Sequence, residues 1–118
     1  MPLRFSVAQR EPYLVVRITG MAFLDHAEKL LPQVALRARE AGATLLMMDL
    51  LHVLGTLAPR DHAELGHLLA DHLSGVRKVA AVIPAGKVTL DSEAAAAERG
   101  LVLKVFASHA DAHAWLLS

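Results

Sequence analysis

The sequence predicts one α/β domain built on a five-stranded, mostly parallel sheet, with an N-terminal β-hairpin, about four helices and the element order ββαβαβαβα. Three observations carry this. Short apolar runs alternate with stretches in which apolar residues recur at helical spacing. Glycines follow those helical stretches at Gly42, Gly75 and Gly100. The first two apolar runs are joined by a polar connector containing Pro12. At 118 residues the chain has the length of a single core, spanning residues 1–118 as one domain.

Leu3 to Ala8 and Tyr13 to Thr19 form the hairpin, across Gln9-Arg10-Glu11-Pro12. Tyr13-Leu14-Val15-Val16-Arg17-Ile18 has little polar alternation, the pattern of an interior strand covered on both faces. Asp25, with Glu28 three residues on, has the spacing of a capping box for the first helix. The apolar stripe of that helix is Ala27, Leu30, Leu31, Val34, Ala38 and Ala41, and Gly42 stands where a left-handed cap belongs. Pro32 inside the stripe predicts either a bend or a late start near Leu31. Thr44 to Leu50 is the third strand. Pro59 to Leu73 is the second helix, with Leu65, Leu68, Leu69 and Leu73 on one side. Lys78 to Ile83, Thr89 to Arg99 and Leu101 to Phe106 read as strand, helix and strand. Ser108 and Asp111 have capping-box spacing ahead of a short terminal helix carrying Trp115, Leu116 and Leu117. Right-handed crossovers gather the loops that follow the strands at one sheet edge, where such sheets place ligands and partners.

Composition excludes several classes. Lys and Arg number 12 against 12 Asp and Glu, and no basic block breaks the balance. Nucleic acid is therefore not an expected partner, because binding its phosphate backbone depends on concentrated positive charge. The absence of cysteine removes disulfide frameworks, thiolate nucleophiles and cysteine-ligated zinc, and fits a reducing compartment. The hydrophobic fraction of 54% is high. Its longest apolar stretch, Ala43 to Leu57, is nevertheless broken by Asp49 and His52, short of the ~18–20 apolar residues of a membrane span. The N-terminus has no signal-peptide core. The expectation is a cytoplasmic domain without a transmembrane segment.

The strand runs Leu14-Val15-Val16-Arg17-Ile18-Thr19-Gly20, Leu45-Leu46-Met47-Met48-Asp49-Leu50 and Val76-Arg77-Lys78-Val79-Ala80-Ala81-Val82 are each common among α/β proteins. Their order and spacing, together with Val105-Phe106-Ala107-Ser108 and the ending Ala114-Trp115-Leu116, resemble the SpoIIAA-like branch of the STAS superfamily, small domains related to anti-sigma-factor antagonists. The resemblance implies a cytoplasmic domain whose strands pair in chain order, with helices mainly on one face. It also implies a protein-binding switch, since the bacterial relatives dock to a kinase and lose that binding when a serine is phosphorylated. That serine lies in an Asp-Ser-x-Gly motif after the third strand. Gap-free placement from Asp49 puts Leu57 and Ala58 at Asp-Ser and Arg60 at the glycine, so the motif is missing here. Thr56 is the nearby hydroxyl able to accept phosphate.

Among seven histidines, His62, His67 and His72 recur every five residues, about 140° apart on a helix, and do not converge. His67 with Asp71, and His109 with His113, stand at i, i+4. Each pair offers two ligands where a catalytic zinc takes three. No metal and no cofactor is expected, and there is no Walker A, Gly-x-Gly-x-x-Gly or Gly-x-Ser-x-Gly motif. Lys87 and Thr89, ahead of the third helix, could hold an anion at its N-terminus. Asp49 and His52 are the best Asp/His neighbourhood in the chain. Asp49 there either orders its loop by accepting backbone amides or works with His52 in acid–base chemistry. The remaining signal is apolar. Met21, Phe23 and Leu24 follow the second strand, Leu50, Leu51, Val53, Leu54 and Leu57 the third, and Ile83-Pro84-Ala85 the fourth. Such loops either fold under the helices or form a pocket or contact surface.

These observations predict a non-enzymatic STAS-like regulatory or binding module. It would dock a protein partner, a second copy of itself or a lipid-like small molecule through the loops after strands two and three. The contact set is Met21, Phe23, Leu24, Asp49, His52, Leu54, Thr56 and Leu57. The alternative is a small enzyme using Asp49 and His52 as an acid/base pair.

Overall fold

Strands β1 (Arg4–Arg10), β2 (Tyr13–Met21), β3 (Leu45–Leu54), β4 (Lys78–Val82) and β5 (Leu103–Phe106) pair in chain order in the computed structural model, which describes residues Pro2–Ser118. β1 runs antiparallel to β2, with Arg4 opposite Thr19 and Arg10 opposite Tyr13; every later pairing is parallel. Helices α1 (Leu24–Glu40), α2 (Pro59–His72), α3 (Asp91–Glu98) and α4 (His109–Leu116) complete the predicted order, and a 3-10 turn occupies Ala85–Lys87.

Strand alternation splits the core in two. Leu14, Val16 and Ile18 of β2, Leu46 and Met48 of β3 and Val79 and Ala81 of β4 point to one face. There they meet Leu31 and Val34 of α1, Leu69 and Leu73 of α2 and Ala96 of α3. Tyr13, Leu45, Met47, Ala80 and Val82 point to the other face, against Ala112 and Leu116 of α4. Three helices therefore cover one side and α4 alone the other. β2 is covered on both faces only through its first half. Arg17 and Thr19 are exposed because α4 lies over the strands beyond them.

The predicted boundaries move where tertiary pairing intervenes. β3 continues to Leu54 because β2 continues to Met21, and the two extend their ladder through Thr19–His52, Gly20–Val53 and Met21–Leu54. Met21, Leu50, Leu51, Val53 and Leu54 thus belong to strands rather than loops, and ladder hydrogen bonds satisfy their backbone groups. An extra β3 residue between Asp49 and His52 breaks the register there. Leu50 and Val53, three apart, consequently both pack on the three-helix face.

The capping box expected at Asp25 does not form. The chain enters α1 directly after Ala22, whose amide donates to the Leu54 carbonyl, so Phe23 takes the N-cap position and Asp25 falls inside the first turn. There its charge still complements the helix dipole. α1 runs unbroken through Pro32, which faces solvent, so water can reach the Glu28 carbonyl that lacks its usual donor. The Ser108 cap does form: its Oγ accepts from the Asp111 amide at 3.2 Å. Gly42 has φ +64°, the left-handed cap conformation.

Gly66 sets the spacing of α2 and α3. A Cβ there would collide with the Ser92 carbonyl oxygen and lie 2.9 Å from the Ala95 Cβ, so the two helices touch backbone to backbone. Gly66→Ala gains helix propensity but forces these helices apart. Urea unfolding should show a net loss of about 1–3 kcal/mol, the usual cost of overpacking.

Candidate functional site

At the edge where the parallel strands end, a cavity of about 150 Å³ lies between the sheet and the three-helix layer. Met48, Leu50, Val53 and Ala81 form its floor. Phe23, Ala27 and Leu30 bring in α1, and Leu65 and Leu69 bring in α2. Close-packed interiors seldom leave a void of this size. Here two local features combine. Gly66 draws α2 onto α3, and short side chains at Ala22, Ala27, Ala81 and Ser92 stand where larger ones would fill the space.

Polar groups gather at its mouth. Thr56 and Leu57 come from the β3–α2 connection, His62 from the first turns of α2, and Lys87 and Thr89 from the segment after β4. Lys87 Nζ donates to the Gly55 carbonyl at 3.0 Å, tying the two connections together. Thr89 Oγ1 accepts from the Asp91 amide at 3.3 Å.

Asp49 lies on the other face of the sheet and is only 1% exposed. Its Oδ1 accepts from the Leu51 amide at 3.1 Å, which holds the register break. Its Oδ2 lies 3.2 Å from His109 Nε2 and 3.4 Å from Arg17 Nε. Its imidazole partner is thus His109, brought from the last helix, and not His52. The extra residue in β3 carries His52 past Asp49 to an exposed position opposite Thr19. A second tie, Tyr13 Oη to His113 Nδ1 at 2.8 Å, reinforces the docking of α4. The geometry fits Asp49 as an organiser of the bulge and of α4.

The eight residues singled out from sequence thus divide. Phe23, Thr56 and Leu57 line the cavity. Met21, Leu24 and Leu54 lie at the same edge without lining it, Leu54 being 53% exposed. Asp49 and His52 are apart from it. Sequence reasoning missed Ala27, Leu30, His62, Leu65 and Val105 as neighbours of this edge, because only helix packing brings them there. Among the described residues no three His, Asp or Glu side chains gather to hold a metal. His67 lies 3.5 Å from Glu98, while Asp71 pairs with Arg99 at 2.7 Å.

A hairpin followed by three parallel strands in chain order, with helices chiefly on one face, defines the SpoIIAA-like class of α/β fold. Comparison with solved structures bears this out. An uncharacterised protein of the DUF3478 family with a SpoIIAA-like fold, from Shewanella loihica PV-4, superposes with TM-score 0.54 and 20% identity, over 98% of this chain and 93% of that one. An anti-sigma factor antagonist from Mycobacterium paratuberculosis superposes with TM-score 0.63 and 16% identity, over 98% and 95%. The fold implied by the resemblance is the fold found. A scan of family models gave no match, and a search of curated proteins gave none. Among the described residues no helix is long and apolar enough to cross a membrane.

Asp49→Ala leaves the Leu51 amide and two cationic or polar partners without their acceptor. It should cost about 1–3 kcal/mol in chemical denaturation. His52→Ala, at an exposed position, should stay within about 0.5 kcal/mol of wild type.

Proposed function

We propose that this chain is a non-enzymatic, cytoplasmic binding module of STAS-like fold that takes a lipid-like apolar small molecule into the cavity beneath α1, α2 and α3. The observation carrying this reading is the cavity itself: concave, open at the strand-end edge of the sheet, and lined mainly by aliphatic side chains. Its volume is comparable to that of an apolar protein cavity which holds a benzene ring. A ring or a short length of alkyl chain therefore fits within, with the rest of the molecule at the mouth.

A second reading has its own support. Phe23 is 51% exposed, Leu54 53% and Leu90 66%, all in segments at the strand-end edge. These large apolar side chains favour a protein partner, or a second copy, docking beside the mouth. The phosphoswitch of the resembling family is not carried over, because its serine motif is missing.

Titration of wild type with octanol, followed by methyl NMR, tests the first reading. Methyls of Val53, Leu65 and Leu69 should shift. Leu57→Asp, which puts a charge in place of an apolar lining side chain, should weaken binding about tenfold or more. Leu54→Asp should leave it within about twofold, since Leu54 is outside the cavity. The opposite pattern, with silent cavity methyls and a solution mass that falls on Leu54→Asp, would favour self-association instead.

A further inference from the structure

The cavity has an electrostatic asymmetry that specifies more than apolarity. Among the described residues that line it, Lys87 alone carries a formal charge, and no carboxylate lines it. Lys87 is half-buried, with no Asp or Glu within ion-pair distance among the described residues. Its one acceptor among the described residues is the Gly55 carbonyl. An ammonium has three N–H donors, so two remain for something else. Thr89 accepts the Asp91 amide through Oγ1 and keeps its own hydroxyl hydrogen to donate. Thr56 adds a second hydroxyl and His62 a ring nitrogen at the same mouth.

We propose that the occupant is a free, single-chain monocarboxylate, its alkyl chain in the cavity and its carboxylate at Lys87 between the Thr56 and Thr89 hydroxyls. The inference rests on the cavity reading above and adds the head group to it. Charge matching selects the carboxylate. One cation balances a single negative charge, whereas a phosphate monoester would bring about 1.5–2. Concavity selects a single chain, because the volume accommodates about one ring or one short alkyl segment. The Lys87–Gly55 contact holds the ammonium against the β3–α2 connection that also lines the cavity, so part of its ordering is in place before a head group arrives.

Octanoate and octanol, equal in chain length, separate the head-group inference from the cavity reading. Both are titrated at neutral pH into wild type, Lys87→Met and Lys87→Arg, with the cavity methyls as readout. Octanoate should bind wild type about tenfold more tightly than octanol, the scale of one charge-assisted hydrogen-bonded pair. Lys87→Met should abolish that preference, and Lys87→Arg should keep most of it. The octanoate-to-octanol ratio within each variant is the readout, and circular dichroism verifies separately that each variant is folded. Equal binding of both compounds to wild type, or a preference that survives Lys87→Met, would overturn the carboxylate while leaving the cavity reading intact. If neither compound moves the cavity methyls, the cavity reading fails and the head-group inference fails with it. Octyl phosphate binding more tightly than octanoate would also refute the carboxylate.

Discussion

The parallel pairing of β2 with β3, and the one extra residue that β3 inserts into it, controls what the rest of the molecule can do. Up to Arg17 and Asp49 the two strands alternate in step. Beyond that point β3 is one residue ahead, so Thr19 meets His52 and Gly20 meets Val53. Strict alternation would have turned Val53 toward the α4 face. The insertion turns it to the three-helix face, beside Leu50. Val53 joins Met48, Leu50 and Ala81 in the cavity floor for that reason. The same insertion separates Asp49 from His52 and leaves the carboxylate to hold the Leu51 amide and His109.

Packing above the floor follows from a second close contact. α2 approaches α3 as nearly as two helix backbones can, because Gly66 presents no side chain to Ser92 and Ala95. On the α1 side the cavity is lined by short side chains at Ala22, just before α1, and Ala27 within it. Thr56, His62, Thr89 and the Lys87–Gly55 hydrogen bond stand at the mouth, where a polar head group can meet water and an apolar tail need not.

The two faces of the sheet divide the labour. The α4 face spends its polar groups on structure: Asp49 with His109, Tyr13 with His113, and Lys78 Nζ donating to the Trp115 and Ser118 carbonyls. On the three-helix face Thr56, His62, Lys87 and Thr89 line the cavity, while Ser92 is buried beside Gly66. Asp49, which reads from sequence as half of an Asp49/His52 pair, meets His109 instead and ties the last helix to the sheet. Leu50 and Val53, which read as loop residues, belong to β3 and have the cavity behind them.

The order of elements was determined by the sequence alone, since each strand announces itself by a short apolar run and each helix by its 3.6-residue stripe. The Ser108 cap was equally legible, because capping joins groups only three residues apart. Phe23, Thr56 and Leu57 were singled out as greasy or hydroxylic residues next to the strand ends, and Lys87 and Thr89 as an anion-holding pair, without a sign that all five share one cavity. Where β3 ends, which histidine meets Asp49, and whether apolar side chains close a core or line a void were decided by tertiary structure. Each depends on groups far apart in the chain, on a register set by the neighbouring strand, and on a helix spacing fixed by one glycine against another helix. Local propensity reports none of these. They are properties of what packs against what.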